Sequence, residues 1–179
     1  MKMNTPNKLT VMRMILVPVF MVTLLCWNRY VALAIFIIAS LTDMLDGYLA
    51  RKNNQITNFG KFMDPLADKL LLTAALLVFV DVGQMPCWVA MVVIARDLAV
   101  SGLRMVAASQ GVIMAAGWSG KIKTAVSIVC ICAMMTPVAE IAVGKITVNE
   151  ICCAIILILN VVSFIDYFSV NGKVLKTQE

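Results

Sequence analysis

The chain has 179 residues, 61% of them hydrophobic and 14% charged, with a net charge of +5 and a mean hydropathy of +0.93. A soluble domain carries about 25% charged residues, so this composition excludes an ordinary soluble enzyme and points to an integral membrane protein. The basic excess is accounted for by cytoplasmic loops and anionic lipid head groups, not by nucleic acid.

At about 20 apolar residues per spanning helix, the length gives room for about six helices in one membrane domain, residues 1–179. The opening MKMNTPNKLT is polar and carries no signal-peptide pattern. Asn4-Thr5-Pro6 reads as a helix start, a capping residue ahead of a proline in the first turn. Apolar segments follow at roughly 9–27, 30–50, 65–82, 86–108, 121–142 and 148–170. Spanning segments must satisfy their backbone polar groups internally, so these read as helices. The first, fifth and sixth are plain hydrophobic spans. The second carries Asp43 and Asp46, the third Asp68 and Lys69, and the fourth Arg96, Asp97 and Arg104.

Lysine and arginine set the orientation. Lys2, Lys8, Arg13, Arg51, Lys52, Lys61, Lys121, Lys123, Lys173 and Lys176 collect on one side. Arg29 and Lys145 fall on the other, with Asp81, Glu140 and Glu150. Six spans then put both termini on the basic, cytoplasmic side, together with the connection between the second and third helices. The six cysteines form no CxxC pair and mostly sit in apolar runs, where thiols behave as small hydrophobes. Trp27, Trp88 and Trp118 read as interfacial aromatics, and Asp166-Tyr167 as interfacial anchors, with pocket lining the alternative.

The stretch TDMLDGYLARKNNQITNFGKFMDPLADK, residues 42–69, holds four of the ten acidic residues. Asp43, Asp46, Gly47 and Ala50 share one face of the second helix, and Asp64 and Asp68 share a face of the third. A short loop lets the two carboxylate pairs come together. Charge within a span is costly and usually functional. Capping, or pairing with Arg51, Lys52, Lys61 and Lys69, would account for one aspartate at a helix end, but not for two pairs backed by small residues. The chain has no histidine. An all-oxygen ligand set suits a hard cation such as Mg²⁺ or Mn²⁺, and four aspartates suffice for two such ions, an arrangement suited to phosphoryl displacement. Gly47, Ala50 and Gly60 leave room for a substrate, and Arg51 is placed to pair with a phosphate.

Asp43-x-x-Asp46-Gly47-x-x-Ala50-Arg51, then eight residues, Gly60, three residues, Asp64, three residues, Asp68 resembles the complete signature of the CDP-alcohol phosphotransferases. The resemblance implies an all-α, polytopic membrane protein, a bundle of six transmembrane helices with a cytoplasm-facing polar cavity, usually a homodimer. It implies two divalent cations held by Asp43, Asp46, Asp64 and Asp68, with Asp68 also the general base. Gly47, Ala50, Arg51 and Gly60 would line the CDP site.

Asn4 to Arg13, the DPLADK ending of the signature, and Arg96-Asp97, Leu103-Arg104 and Gly120-Lys121-Ile122-Lys123-Thr124 are similar to the phosphatidylglycerophosphate synthase branch of that family. Ser127 departs from it, where many relatives have glutamine. The branch implies CDP-diacylglycerol as donor, contacted also by Asn7, Thr10 and Arg13, and sn-glycerol 3-phosphate as acceptor. The acceptor is a small dianion. Arg96 and Arg104, about two turns apart on the fourth helix, and Lys121 and Lys123, at the start of the fifth, would hold its phosphate. A helix start also offers N–H groups to an anion. The basic set equally fits an inositol phosphate, and phosphatidylglycerol in cardiolipin synthesis is a further acceptor within the family. A cation transporter is the non-enzyme alternative, although it would place acid near the bilayer midplane.

Overall fold

The structure, a computed structural model, describes the backbone of residues 5–52, 58–109 and 118–176 and the side chains of residues 11–42, 67, 69–108 and 118–171. Among these residues there are six α-helices, one 3₁₀ turn and one two-stranded hairpin. The chain divides into two compact units, residues 1–83 and 84–179.

The first unit contains α1 (Thr5–Cys26), α2 (Arg29–Lys52) and α3 (Asn58–Asp81). A tight turn joins α1 to α2, and Asn28 caps α2: the backbone N–H groups of Tyr30 and Val31 donate to its Oδ1 at 2.8 and 3.4 Å. α1 packs against both α2 and α3. Phe20 of α1 meets Phe36 of α2 with ring centroids 5.6 Å apart. Ala32 and Ala39 lie one turn or so to either side of Phe36 on the same buried face, and small residues there let the helices close around the rings. α3 turns Ala67, Leu71, Ala74, Ala75 and Val78 inward, a helical repeat of small and branched residues. Ile15, Val19, Val22, Ile37, Ile38 and Leu41 face outward. α3 closes through Gly83, whose φ of 73° is one that a side chain would strain.

The second unit contains α4 (Cys87–Ser109), α5 (Trp118–Met134) and α6 (Val148–Lys176), with both α4 and α5 packed on α6. The fifth apolar segment extends to 142, yet α5 ends at Met134. Pro137 stops it: proline has no N–H, and it pushes Thr136 into an extended conformation, φ −108° and ψ 163°. A 3₁₀ turn (Pro137–Glu140) and a hairpin of β1 (Ala142–Val143) and β2 (Ile146–Thr147) follow, turning at Gly144, φ 72°. Thr147 and Glu150 then start α6 with a reciprocal cap. The Thr147 backbone N–H donates to Glu150 Oε2 at 2.8 Å, and the Glu150 N–H donates to Thr147 Oγ1 at 3.3 Å.

α6 is inverted relative to a helix of a soluble protein. Ile151, Ile155, Ile158, Val162 and Ile165 point outward, whereas Asn160, Ser163, Tyr167 and Asn171 form a buried polar stripe at spacings of three and four. The buried asparagines satisfy part of their amides on their own helix: Asn160 Nδ2 donates to the Ile156 carbonyl at 2.8 Å, and Asn171 Nδ2 to the Tyr167 carbonyl at 3.0 Å. Among the described residues one helix, Val148–Asn171, is long and apolar enough to cross a membrane. Val11–Cys26 and Arg29–Thr42 are shorter apolar stretches. Trp27, Trp88 and Trp118 are exposed, and Cys130, Cys152 and Cys153 are buried.

Candidate active site

The backbone carries the sequence-derived donor and metal residues on three helices. Asn7, Thr10 and Arg13 are on α1. Asp43, Asp46, Gly47, Ala50 and Arg51 occupy the last turns of α2, and Gly60, Asp64 and Asp68 the first turns of α3. Except for Arg13, the side chains of these residues lie outside the described residues. Arg13 is 2% exposed, an arginine enclosed within the apolar helix α1. A charge so placed is expensive unless it is compensated.

In the second unit the side chains of the candidate acceptor residues are described. Arg96 and Asp97 stand on α4, ten and eleven residues into the helix. The Arg96 Nη1 donates to Asp97 Oδ1 at 2.9 Å, and the Lys123 Nζ of α5 donates to the same oxygen at 2.5 Å. The Arg96 Nη2 donates to Ser163 Oγ of α6 at 2.7 Å. One carboxylate oxygen therefore gathers two cations, and one guanidinium reaches two partners. All three helices are tied at this level. Lys123 is 4% exposed, an ammonium whose burial the Asp97 charge helps to compensate.

Around it lie further polar groups. Ser119, in the first turn of α5, donates to Asp166 Oδ2 of α6. Tyr167 is buried against Val100 and Ala107 of α4 and lies within electrostatic range of both Arg104 and Arg96. The two arginines thus share a side of α4, as their spacing predicts. Lys121 points elsewhere: it is exposed, with its Nζ 5.1 Å from the centroid of the Trp118 ring, a cation–π contact. Of the four cations expected to act together, Arg96 and Lys123 are joined, Arg104 is near them through Tyr167, and Lys121 is engaged by Trp118.

One expectation changes: Asp166 and Tyr167 face the neighbouring helices and do not stand outward as anchors would. Asp166 accepts from Ser119, and Tyr167 is only 7% exposed, because the polar stripe of α6 turns both toward the other helices. Ser163 and Asn160 escaped the sequence reading. Their period along α6, polar residues recurring on one face of an otherwise apolar helix, was the signal that could have found them. Asn160 is fully buried, and its Oδ1 has no hydrogen-bond partner among the described residues. With Arg96 and apolar residues of α4 and α6 it lines a cavity of about 330 Å³.

The CDP-alcohol phosphatidyltransferase family model matches residues 3–165. The chain belongs to that family. Among curated relatives, it is 42% identical to the CDP-diacylglycerol–glycerol-3-phosphate 3-phosphatidyltransferase of Bacillus subtilis (strain 168), over 97% of this chain and 98% of that protein. It is 40% identical to the protein of the same name in Escherichia coli (strain K12), over 73% of this chain and 76% of that one. It is 38% identical to a probable phosphatidylglycerophosphate synthase of Mycobacterium tuberculosis (strain ATCC 25618 / H37Rv), over 92% and 79%.

Proposed function

We propose that this chain transfers the phosphatidyl group of CDP-diacylglycerol to sn-glycerol 3-phosphate, giving phosphatidylglycerol phosphate and CMP. The observation that carries the acceptor is the convergence of Arg96 and Lys123 on one Asp97 oxygen inside an apolar three-helix unit. Two cations gathered at one point suit a phosphorylated acceptor. The names of the relatives above support the same donor and acceptor.

The donor set fits hard divalent cations. It comprises four carboxylates, Asp43, Asp46, Asp64 and Asp68, in a chain without histidine. Two Mg²⁺ or Mn²⁺ ions held there would neutralise the diphosphate and the departing CMP. Arg51 pairs with the nucleotide phosphate. Gly47, Ala50 and Gly60 leave space beside it, and Asn7, Thr10 and Arg13 contact the donor. Arg96, Arg104 and Lys123 hold the acceptor phosphate, and Lys121 joins them on leaving the Trp118 ring. Asp68 takes the proton of the acceptor's 1-hydroxyl. That oxygen bonds to the phosphorus bearing diacylglycerol, and the bond to CMP breaks with its electron pair leaving on CMP. Most of the acceleration is positional and electrostatic.

In the same reading, residues 1–179 act as one membrane domain of six spans. Both termini and the polar cavity face the cytoplasm, lipids surround the chain, and the assembly is a homodimer. Support comes from the lysine and arginine distribution and from the outward apolar faces of α1, α2 and α6.

The test is CMP release by purified protein with Mg²⁺ or Mn²⁺, CDP-diacylglycerol and a panel of acceptors. Release only with glycerol 3-phosphate is the expected result. Release with an inositol phosphate or phosphatidylglycerol instead would move the acceptor within the family. Silence with every acceptor would reopen the cation transporter.

A further inference from the structure

We propose that Asp97 is a positioning residue for the acceptor: its carboxylate holds the Lys123 ammonium and the Arg96 guanidinium side by side so that one phosphate can meet both. This rests on the acceptor reading above.

Four observations converge on it. Asp97 Oδ1 accepts from Arg96 at 2.9 Å and from Lys123 at 2.5 Å, so both nitrogens sit on a single oxygen atom. The two cations belong to different helices, α4 and α5, each of which packs on α6. In a setting of low polarity like charges repel strongly, and without an anion between them nothing in the pair favours their proximity. Finally, the side chains of Arg96 and Asp97 are 12% and 14% exposed, while that of Lys123 is 5% exposed. The cluster is enclosed but not sealed, and a purely structural ion pair needs no open side.

The geometry assigns each partner a duty. Ser163 fixes the far end of the guanidinium at 2.7 Å. Asp97 fixes its near end and draws in Lys123. Preorganised cations bind an anion without first being assembled, so the benefit appears in acceptor binding and not in the chemical step.

The sign of the effect separates this role from the opposite one. If Asp97 merely competed with the acceptor phosphate for the two cations, its removal would tighten acceptor binding. If it positions them, removal weakens binding. We expect Asp97→Asn to raise the KM for glycerol 3-phosphate about tenfold, with kcat and the KM for CDP-diacylglycerol changed by no more than about twofold. Asp97→Glu, which keeps the charge, should recover most of the loss. Asp97→Asn added to Lys123→Met should raise the KM little beyond Lys123→Met alone, because the first acts through the second.

Thermal unfolding of each variant in the same lipid shows whether it is folded, and the Asp97→Glu comparison carries the test if Asp97→Asn is not. A lowered KM in Asp97→Asn, a loss confined to kcat, or full additivity with Lys123→Met overturns the proposal. Wild-type protein is measured first against the acceptor panel. If it uses a different phosphorylated acceptor, glycerol 3-phosphate is the wrong substrate, and the same comparison on the true acceptor still decides the role of Asp97.

Discussion

Ser163 Oγ of α6 lies 2.7 Å from Arg96 Nη2 of α4, a hydrogen bond across two helices inside a largely apolar interior. The hydroxyl is a neutral acceptor. It orients the guanidinium without cancelling its charge, as a carboxylate there would. Ser163→Ala should therefore release one end of Arg96. Hydrogen bonds to charged groups contribute about 1.5–3 kcal/mol, so kcat/KM for the acceptor should fall by about tenfold or more. Steady-state kinetics with the lipid donor saturating would show it, and an unchanged value would remove Ser163 from the site.

Arg104 is exposed and within electrostatic range of Tyr167, and its proposed contribution is to acceptor capture. Arg104→Ala should raise the KM for glycerol 3-phosphate by about tenfold and leave that for CDP-diacylglycerol nearly unchanged. Equal effects on both would argue against an acceptor-phosphate contact.

Asp68→Asn should retain donor binding and lose turnover by about 10²–10⁴-fold, the usual size of a general-base contribution. Binding of CDP-diacylglycerol, measured apart from turnover, distinguishes this from loss of the whole site. Near-normal turnover with metal present would refute the assignment of the base.

Removal of divalent cations by a chelator should abolish CMP release, and Mg²⁺ or Mn²⁺ should restore it. Persistent activity in the chelated protein would leave the four aspartates without their proposed task.

Asn160 offers a test that separates stability from function. Its Oδ1 is buried without a partner among the described residues, a condition that costs about 1–3 kcal/mol. Asn160→Leu should therefore raise the thermal midpoint. If the amide also serves substrate or Arg96, activity falls in the same variant. Lower stability would mean that the carbonyl is satisfied in the working protein.

The sequence made the helices legible because apolar length is a strong signal and spans leave the backbone little choice. It misjudged the end of α5, where residues 135–142 remain apolar in composition but Pro137 and the Gly144 turn dictate the path. The aspartate signature was legible because its spacing is local, within one hairpin. Asp97–Lys123 and Arg96–Ser163 join residues 26 and 67 apart, and no local period encodes such partners. Asp166 and Tyr167 were misjudged for a related reason. A polar pair near a helix end looks interfacial until the neighbouring helix supplies Ser119.

The polar stripe of α6 bears on how the protein is made. α6 is synthesised after α4 and α5, and it carries Ser163 for Arg96 and Asp166 for Ser119. Until it arrives, the guanidinium of α4 has no hydroxyl to orient it. α6 in turn presents Asn160, Ser163 and Asn171 to lipid if it enters alone. Each side therefore keeps polar groups without their partners until the other arrives, and the proposed acceptor site is complete only at the step that closes the three-helix unit.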